Sequence, residues 1–343
     1  MSAESHYLNA LEALDEGDRE LAQSEALLAT QLDPEHTDAW VLLSDACMNG
    51  KEPRSMLEAA KALTGAKKAV LLEPERLDMW VRGGRLLADE LGLLHDALQW
   101  WQDCRHHAPH EVTPLVEMAS ILADMGEYEE SRKRLEAILN DNMDVATSQF
   151  ARIQGLLNLV KAAATQDAKD IFKPYQKHHN GWEAIRSKMK KPPVSESFIF
   201  MLLAVPILFF VIFFSSNFSG EGWGAFCLTT SVIMFIVLFA MRLAKRWFQI
   251  INRPAFNLLR AMNFEVSTGF TVIPEDVRTS VLHVYIMQRK PLAWQERMLK
   301  IMERKNSLPR NYSFRLPDFD SHLVDEEDED DEAWAPLTAY EEE

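Results

Sequence analysis

Cys104, His106, His107 and His110 are the residues whose types could bind a metal ion, because thiolates and imidazoles are common zinc ligands. Metal ligands on a helix are typically four residues apart, and the Cys104–His107 and His106–His110 pairs match this spacing only in part. We therefore favour a role at the end of a helix and in the turn beyond Pro109. The sequence predicts no metal site.

The chain also lacks the motifs of common enzyme classes. It contains no glycine-rich phosphate loop, no G-x-S-x-G elbow and no H-E-x-x-H pair. Acidic residues and histidines are plentiful, but no spacing gives them catalytic roles. We therefore expect a protein that is not an enzyme, with no catalytic residue and no cofactor.

Two uncharged apolar runs dominate the chain. Residues 198–214 include fourteen Leu, Ile, Val or Phe side chains, and residues 223–241 form the second run. A helix of seventeen residues is about 26 Å long, close to the thickness of a bilayer core. We predict a transmembrane hairpin over residues 198–243, with helices at 198–214 and 223–243. The alternative is a pair of buried core helices, which would need protein on every side.

The charges that flank the hairpin predict its orientation. Arg186, Lys188, Lys190 and Lys191 precede it and Arg242, Lys245 and Arg246 follow it, whereas the loop between the runs has no Lys or Arg. Lys and Arg are enriched on the cytoplasmic side of a membrane. We therefore expect an integral, two-pass membrane protein with both termini in the cytoplasm.

The net charge of −16 is unevenly distributed. Residues 1–143 have a net charge of −15, residues 144–312 of +11 and residues 313–343 of −12. A basic block around the hairpin suits anionic lipid headgroups. The acidic N-terminal part would repel phosphates, so no nucleic acid is expected as a partner.

The first 140 residues contain internal repeats. Each copy has large and small residues on a first helix, a second helix with small residues at helical spacing, and, in three copies, a proline at position 34, 74 or 109. The small residues include Ala22, Ser44, Gly84 and Ala119, and the large ones Trp40, Trp80 and Trp101.

This pattern, over residues of about 3–143, resembles the tetratricopeptide repeat (TPR) family. The resemblance implies an all-α solenoid of helix pairs, in which each pair buries its apolar face against the next. Residues 146–164, with Phe150, Ile153, Leu157 and Val160 at helical spacing, would form a capping helix; the alternative is a helix that binds a partner.

TPR proteins generally bind peptide segments on the concave face formed by the first helices. The resemblance places ten residues in this groove: Tyr7, Leu11, Val41, Asp45, Val81, Arg85, Asp89, Val116, Ser120 and Asp124. An acidic and mildly apolar groove suits a basic or apolar protein segment. The alternative is that Asp45, Asp89 and Asp124 are ordinary solvated side chains.

The chain therefore divides into five predicted regions: a repeat domain with its capping helix (1–165), a basic linker (166–197), the hairpin (198–243), a small juxtamembrane helical region (244–312) and an acidic disordered tail (313–343). Within 244–312, Phe256, Leu259 and Met262 with Arg253 and Arg260 suggest an interfacial amphipathic helix, or a helix packed against the following segment. Residues 265–271 are expected to be irregular. One helix is expected from Pro274 to about Gln288, and another from Leu292 to Lys305.

These features predict a membrane-anchored adaptor or scaffold that recruits a protein partner to the cytoplasmic face of a membrane. The alternative is an accessory subunit of a membrane complex for protein translocation, insertion or envelope assembly, in which the hairpin would pack against other membrane helices.

Overall fold

A computed structural model describes residues 2–48, 53–140, 143, 145–167, 169–218, 223–317 and 319. Within these residues the chain is all-helical, as predicted, and the only β-type pairing is an isolated bridge between Thr271 and Ser307. The helices are α1 (Ala3–Glu16), α2 (Arg19–Leu32), α3 (Thr37–Met48), α4 (Met56–Leu72), α5 (Leu77–Arg85), a π-helical segment (Leu86–Glu90), α6 (Leu94–His107), α7 (Val112–Met125), α8 (Tyr128–Asn140), α9 (Thr147–Ala164), α10 (Gly181–Lys188), α11 (Glu196–Phe218), α12 (Trp223–Ile251), α13 (Arg253–Thr268), α14 (Glu275–Arg278), α15 (Val281–Met287) and α16 (Leu292–Arg304).

The local structure of α1 to α8 repeats along the chain, and each of these helices packs against its neighbours in sequence. The indole of Trp40 donates a hydrogen bond to the Pro34 carbonyl (2.9 Å), and the indole of Trp80 donates one to the Pro74 carbonyl (2.8 Å). The equivalent bonds fix the same turn before α3 and before α5. The prolines that mark the repeats in the sequence therefore mark the same turn in the fold.

Small residues let the paired helices approach closely, as predicted. Ala22, Ser44 and Ala119 are fully buried. A Cβ added to Gly84 would lie less than 3.0 Å from three atoms of the Trp101 indole, so only glycine allows α5 to lie this close to α6.

Helix α9 covers the end of this stack by packing against α7 and α8. Ile153, Leu157 and Val160 are buried on that face. Phe150, which the helical spacing places with them, is 47% exposed instead.

A second hydrophobic core lies outside the repeats. It is built by Phe172, Trp182, Ile185, Leu258, Met262 and Trp294 together with their neighbours. Residues 166–197 were expected to be a linker, but their three large apolar side chains pack against α13. The physical reason is that Trp182 and Ile185 lie on one face of α10, which is too apolar to remain in water.

One face of helix α13 packs into this core, which is one of the two predicted roles of the helix. Met262 is fully buried and Leu258 and Ala261 are buried with it, whereas Phe256 is partly exposed. The helix also continues to Thr268 and ends at Gly269, which has a φ of 76°, so the expectation of irregular structure over 265–271 is wrong for its first four residues.

The helix expected from Pro274 to Gln288 is divided into α14 and α15. Pro274 begins α14 as predicted, but the side chain of Ser280 accepts a hydrogen bond from the His283 amide and starts a new helix. Helix α16 agrees with the prediction to within a residue and ends at Lys305, which has a φ of 51°.

The C-terminal helices pack directly against the repeats. Glu296 of α16 accepts a hydrogen bond from the Met56 amide at the start of α4 (2.8 Å). Trp294 lies so close to Gly92 that a Cβ there would overlap its indole. His95 of α6 is bonded to Ser267 of α13 through its ring Nδ1 (2.7 Å). The repeats and the C-terminal helices therefore share one continuous interface.

The residues after α16 form an extended segment, the C-terminal strap (306–317 and 319). The ring of Phe314 lies against His95, and Phe319 is buried in the hydrophobic core of the repeats. The guanidinium of Arg134 lies over the Phe319 ring at 4.6 Å. Most of the predicted acidic tail, 320–343, lies outside the described residues.

Helices α11 and α12 pack against each other, and both are long and apolar enough to cross a membrane. Only 11% of each candidate span, Glu196–Phe213 and Cys227–Ile251, is buried by protein. This does not fit a pair of buried core helices. Helix α12 runs past the predicted end at residue 243 because Trp247, Ile250 and Ile251 extend its apolar pattern.

Candidate functional site

The N-terminal half of the predicted groove is open in part. Leu11 is 39% exposed, while Val41 and Val81 are half-buried. Asp45 on α3 forms an ion pair with Arg82 on α5 (2.5 Å), so its charge is already compensated within the chain. Tyr7 packs against the ring of His36, with the two ring centroids 4.9 Å apart.

The C-terminal half of the predicted groove faces the chain's own C-terminal helices. Asp124 and Asp89 both lie near Lys290, which connects α15 to α16. Arg260 of α13 donates hydrogen bonds to the Asp124 carbonyl (2.9 Å) and the Tyr128 hydroxyl (2.7 Å). Asp124 lies on α7 and Asp89 in the π-helical segment after α5, and a lysine of the same chain lies near both.

The charges in this region are partly desolvated. Desolvation raises the pKa of the Asp124 carboxyl, although the nearby Lys290 and Arg260 oppose the shift. Desolvation lowers the pKa of Lys290, and Asp124 and Asp89 oppose that shift in turn. These carboxylates and bases already compensate one another's charge, so the site does not favour binding of an additional charged ligand.

Three further groove positions complete the predicted set. Val116 is buried and unavailable to a ligand, Arg85 is exposed, and Ser120 lines a separate cleft described below. Beside them, Arg152 of α9 binds Glu117 of α7 through two hydrogen bonds of 2.8 and 3.0 Å, and this bond raises the pKa of Arg152. The ten predicted residues therefore do not form one uniform surface.

A cleft that the sequence reasoning missed lies between the end of the repeats and the base of the hairpin. Its volume is about 760 Å³. Arg246 at the end of α12 and Arg253 and Arg260 on α13 line one side. The signal in the sequence is the seven-residue interval between these arginines. The prediction placed Arg246 among the bases that flank the hairpin, and Arg253 and Arg260 on a helix that is either interfacial or packed.

Two of the four residues whose types could bind a metal, Cys104 and His107, pack within the repeats instead. Cys104 is buried, and desolvation raises the pKa of its thiol to about 12. The His107 ring stacks on Trp80 at 5.7 Å. Within the part of the chain that the structure describes, no three His, Cys, Asp or Glu side chains are grouped so that they could hold a metal ion.

A buried ion pair fixes the C-terminal core. The carboxylate of Glu265 accepts hydrogen bonds from the amides of Val272 (2.5 Å) and Ile273 (2.7 Å) and from the guanidinium of Arg278 (2.5 Å). Both charged side chains are almost completely buried. The pair fixes the turn after α13, because Val272 and Ile273 of that turn both donate to the Glu265 carboxylate.

Comparison with known proteins does not assign the chain to a family: no protein-family model and no curated protein matches it.

Proposed function

We propose that this protein is a membrane-anchored scaffold of the TPR type, which recruits a protein partner to the cytoplasmic face of a membrane. The observation that carries the proposal has two parts. Protein covers only a small share of two long apolar helices, and the side of the repeat stack formed by the first helix of each pair is partly exposed to solvent. The recurring Trp–Pro hydrogen bonds and the glycine–tryptophan packing support the TPR arrangement.

The hairpin supports membrane anchoring through its exposed side chains. Phe209 is 73% exposed, and Leu202 and Phe235 are similarly exposed. Large exposed apolar surfaces of this kind would cause aggregation in water, whereas contact with the lipid of a bilayer stabilises them. Pro206 lies within α11, which membrane helices tolerate.

The orientation of the hairpin is the first testable part. Both termini would lie in the cytoplasm, because the bases flank the hairpin and the loop contains none. In a Cys47→Ala/Cys104→Ala/Cys227→Ser background, a membrane-impermeant thiol reagent should label Ser219→Cys from outside intact cells. It should not label Ser5→Cys unless the cells are opened. Labelling of Ser5→Cys from outside would contradict the orientation.

The partner's chemistry follows from the open half of the groove. Leu11, Val41 and Val81 are available, whereas Asp45 is neutralised by Arg82. Apolar contacts therefore dominate, and a short apolar or basic segment of another protein is the proposed ligand. Asp89 and Asp124 already lie near Lys290, so this part of the groove contributes little to binding of the partner segment.

The test places a photocrosslinking amino acid at Val81 in the full-length protein and identifies the crosslinked partner in native membranes. Leu11→Asp should then reduce its affinity about 10- to 100-fold, because a leucine buried at an interface contributes roughly 1.5–3 kcal/mol. The matched control is Leu71→Asp on α4, which is also exposed but lies on a second helix.

Two results would contradict the scaffold. Equal losses in both variants would show that the first-helix side is not the binding surface. Crosslinks that form only from the hairpin would instead support the accessory subunit of a membrane complex.

A further inference from the structure

The cleft at the base of the hairpin combines positive charge with apolar walls. Arg246, Arg253 and Arg260 line one side, and Leu159 of α9 and Ile250 of α12 are exposed apolar residues in its lining. The cleft volume of about 760 Å³ lies within the range of small-ligand sites.

The three arginines have no carboxylate partner at ion-pair distance within the described residues. Arg253 donates to the Gln166 side-chain oxygen (3.3 Å) and to the Asp170 carbonyl (3.0 Å). Arg260 binds two carbonyls and a hydroxyl. These neutral acceptors hold the guanidinium groups in place without cancelling their charge.

Two acidic residues, Asp124 and Asp170, also line the cleft. The three arginines therefore outnumber the two carboxylates. The cleft as a whole favours an anion with more than one oxygen acceptor.

The cleft lies where the hairpin enters the membrane. Asn252 is buried and bonds to both backbone groups of Val194, with distances of 2.9 Å to the amide and 2.8 Å to the carbonyl. This bond pair joins the start of α11 to the end of α12, next to the ends of both candidate spans at residues 196 and 251. If the hairpin spans the membrane as proposed, Arg246 and Ile250 lie near the end of the span, where the headgroups begin.

We propose that this cleft binds one anionic phospholipid, with its phosphate between Arg246 and Arg253 and part of an acyl chain against Ile250 and Leu159. A lipid fits better than a soluble phosphate because the apolar wall continues from the surface of the membrane helix into the cleft. The bound lipid would fill the space between α9 and α13 and fix the repeats relative to the bilayer.

The test uses calorimetric titration of the full-length protein in a neutral detergent. The probes are dihexanoyl phosphatidylglycerol, dihexanoyl phosphatidylcholine, glycerol 3-phosphate and a peptide of residues 322–343. The anionic lipid should bind at least about tenfold more tightly than the zwitterionic lipid. Arg246→Gln should weaken it about fivefold, and Arg246→Gln/Arg253→Gln about 30-fold, since each base near a lipid surface contributes comparably.

The matched control is Arg242→Gln/Lys245→Gln, which removes two charges from the same helix outside the cleft and should change the affinity less than about twofold. Arg246→Gln serves as the variant that preserves the fold, because Arg246 has no hydrogen bond or ion pair among the described residues.

Several outcomes would overturn the proposal: equal losses in the control and the cleft variants, equal binding of the two lipids, glycerol 3-phosphate binding as tightly as the lipid, or displacement of the lipid by the acidic peptide. The proposal rests on the membrane insertion proposed above but not on a protein partner. Thiol labelling at position 219 reports insertion separately, so failure of lipid binding in a correctly inserted protein is distinguishable from failure of the scaffold.

Discussion

Replacing Gly84 by alanine should destabilise the repeats, although alanine is the better helix former. The added methyl group would lie less than 3.0 Å from three atoms of the Trp101 indole, which is 1% exposed. The ring can move only by opening the core, and contacts of 2.2 and 2.3 Å place the cost at the upper end of the overpacking range, about 2–3 kcal/mol. Alanine recovers about 1 kcal/mol of helix propensity. We therefore expect a net loss of about 1–2 kcal/mol.

The matched control is Gly155→Ala on α9. Gly155 also lies within a helix, but a Cβ there would have no atom within 4 Å. The same substitution should therefore stabilise the protein by about 0.5–1 kcal/mol, from helix propensity alone. The two variants differ only in what surrounds the new methyl group.

The assay is thermal unfolding of the full chain in detergent, followed by tryptophan fluorescence. For a unit of 150–250 residues, 1 kcal/mol shifts the Tm by about 2–4 °C. Gly84→Ala should lower the Tm by about 2–8 °C, and Gly155→Ala should raise it slightly. A Gly84→Ala protein as stable as the wild type would refute the claim that the α5–α6 approach depends on glycine.

Three further variants test the C-terminal core and the hairpin base. Glu265→Gln leaves the buried Arg278 without its counter-charge and should cost about 3–5 kcal/mol, measured as faster proteolysis of the C-terminal helices. His283 is buried and uncharged, and desolvation lowers its pKa from 6.5 to about 4. The unfolded chain therefore takes up a proton first as the pH falls from 6.5 to 4, so stability should decrease by up to about 3 kcal/mol over this window, and His283→Leu should remove that part of the pH dependence. Asn252→Ala leaves both backbone groups of Val194 unpaired and should cost about 1–3 kcal/mol, detected as faster hydrogen exchange at Val194.

Exposed residues of the same types provide the controls: Glu303→Gln, His178→Leu and Asn158→Ala should each change stability by less than about 0.5 kcal/mol. A wild-type pH profile that is unchanged in His283→Leu would mean that another group titrates in this window. Normal proteolysis of Glu265→Gln would show that the buried pair does not hold the turn.

The helix pairs and the hairpin could be predicted from sequence because their signals are local. The prolines at 34 and 74 and the tryptophans six residues later determine the same turn twice, and the long uncharged runs predict two long apolar helices. The predicted helix boundaries were wrong where a single side chain determines them. Ser280, for example, caps a new helix and so divides one expected helix into two.

The long-range packing could not be predicted, because an apolar helix face does not reveal which segment covers it. Helix α13 has the basic and apolar faces of a surface helix, yet Met262 packs into a core with Trp182, which precedes it by 80 residues. The groove prediction has the same limit. Asp89 and Asp124 have the spacing of groove residues, and only the fold places Lys290 opposite them.

The burial of Phe319 in the hydrophobic core of the repeats has a consequence for biosynthesis. Its ring lies below Arg134, and its carbonyl accepts a hydrogen bond from Gln102, so the third and fourth helix pairs bury a residue from the far end of the chain. At about 5–20 residues per second, a ribosome reaches residue 319 roughly 10–40 seconds after it completes α8. Both apolar hairpin helices emerge during that interval. If the hairpin is the membrane anchor proposed above, it meets the insertion machinery while this part of the repeat stack is still incomplete, and the last step of folding takes place on an anchored chain.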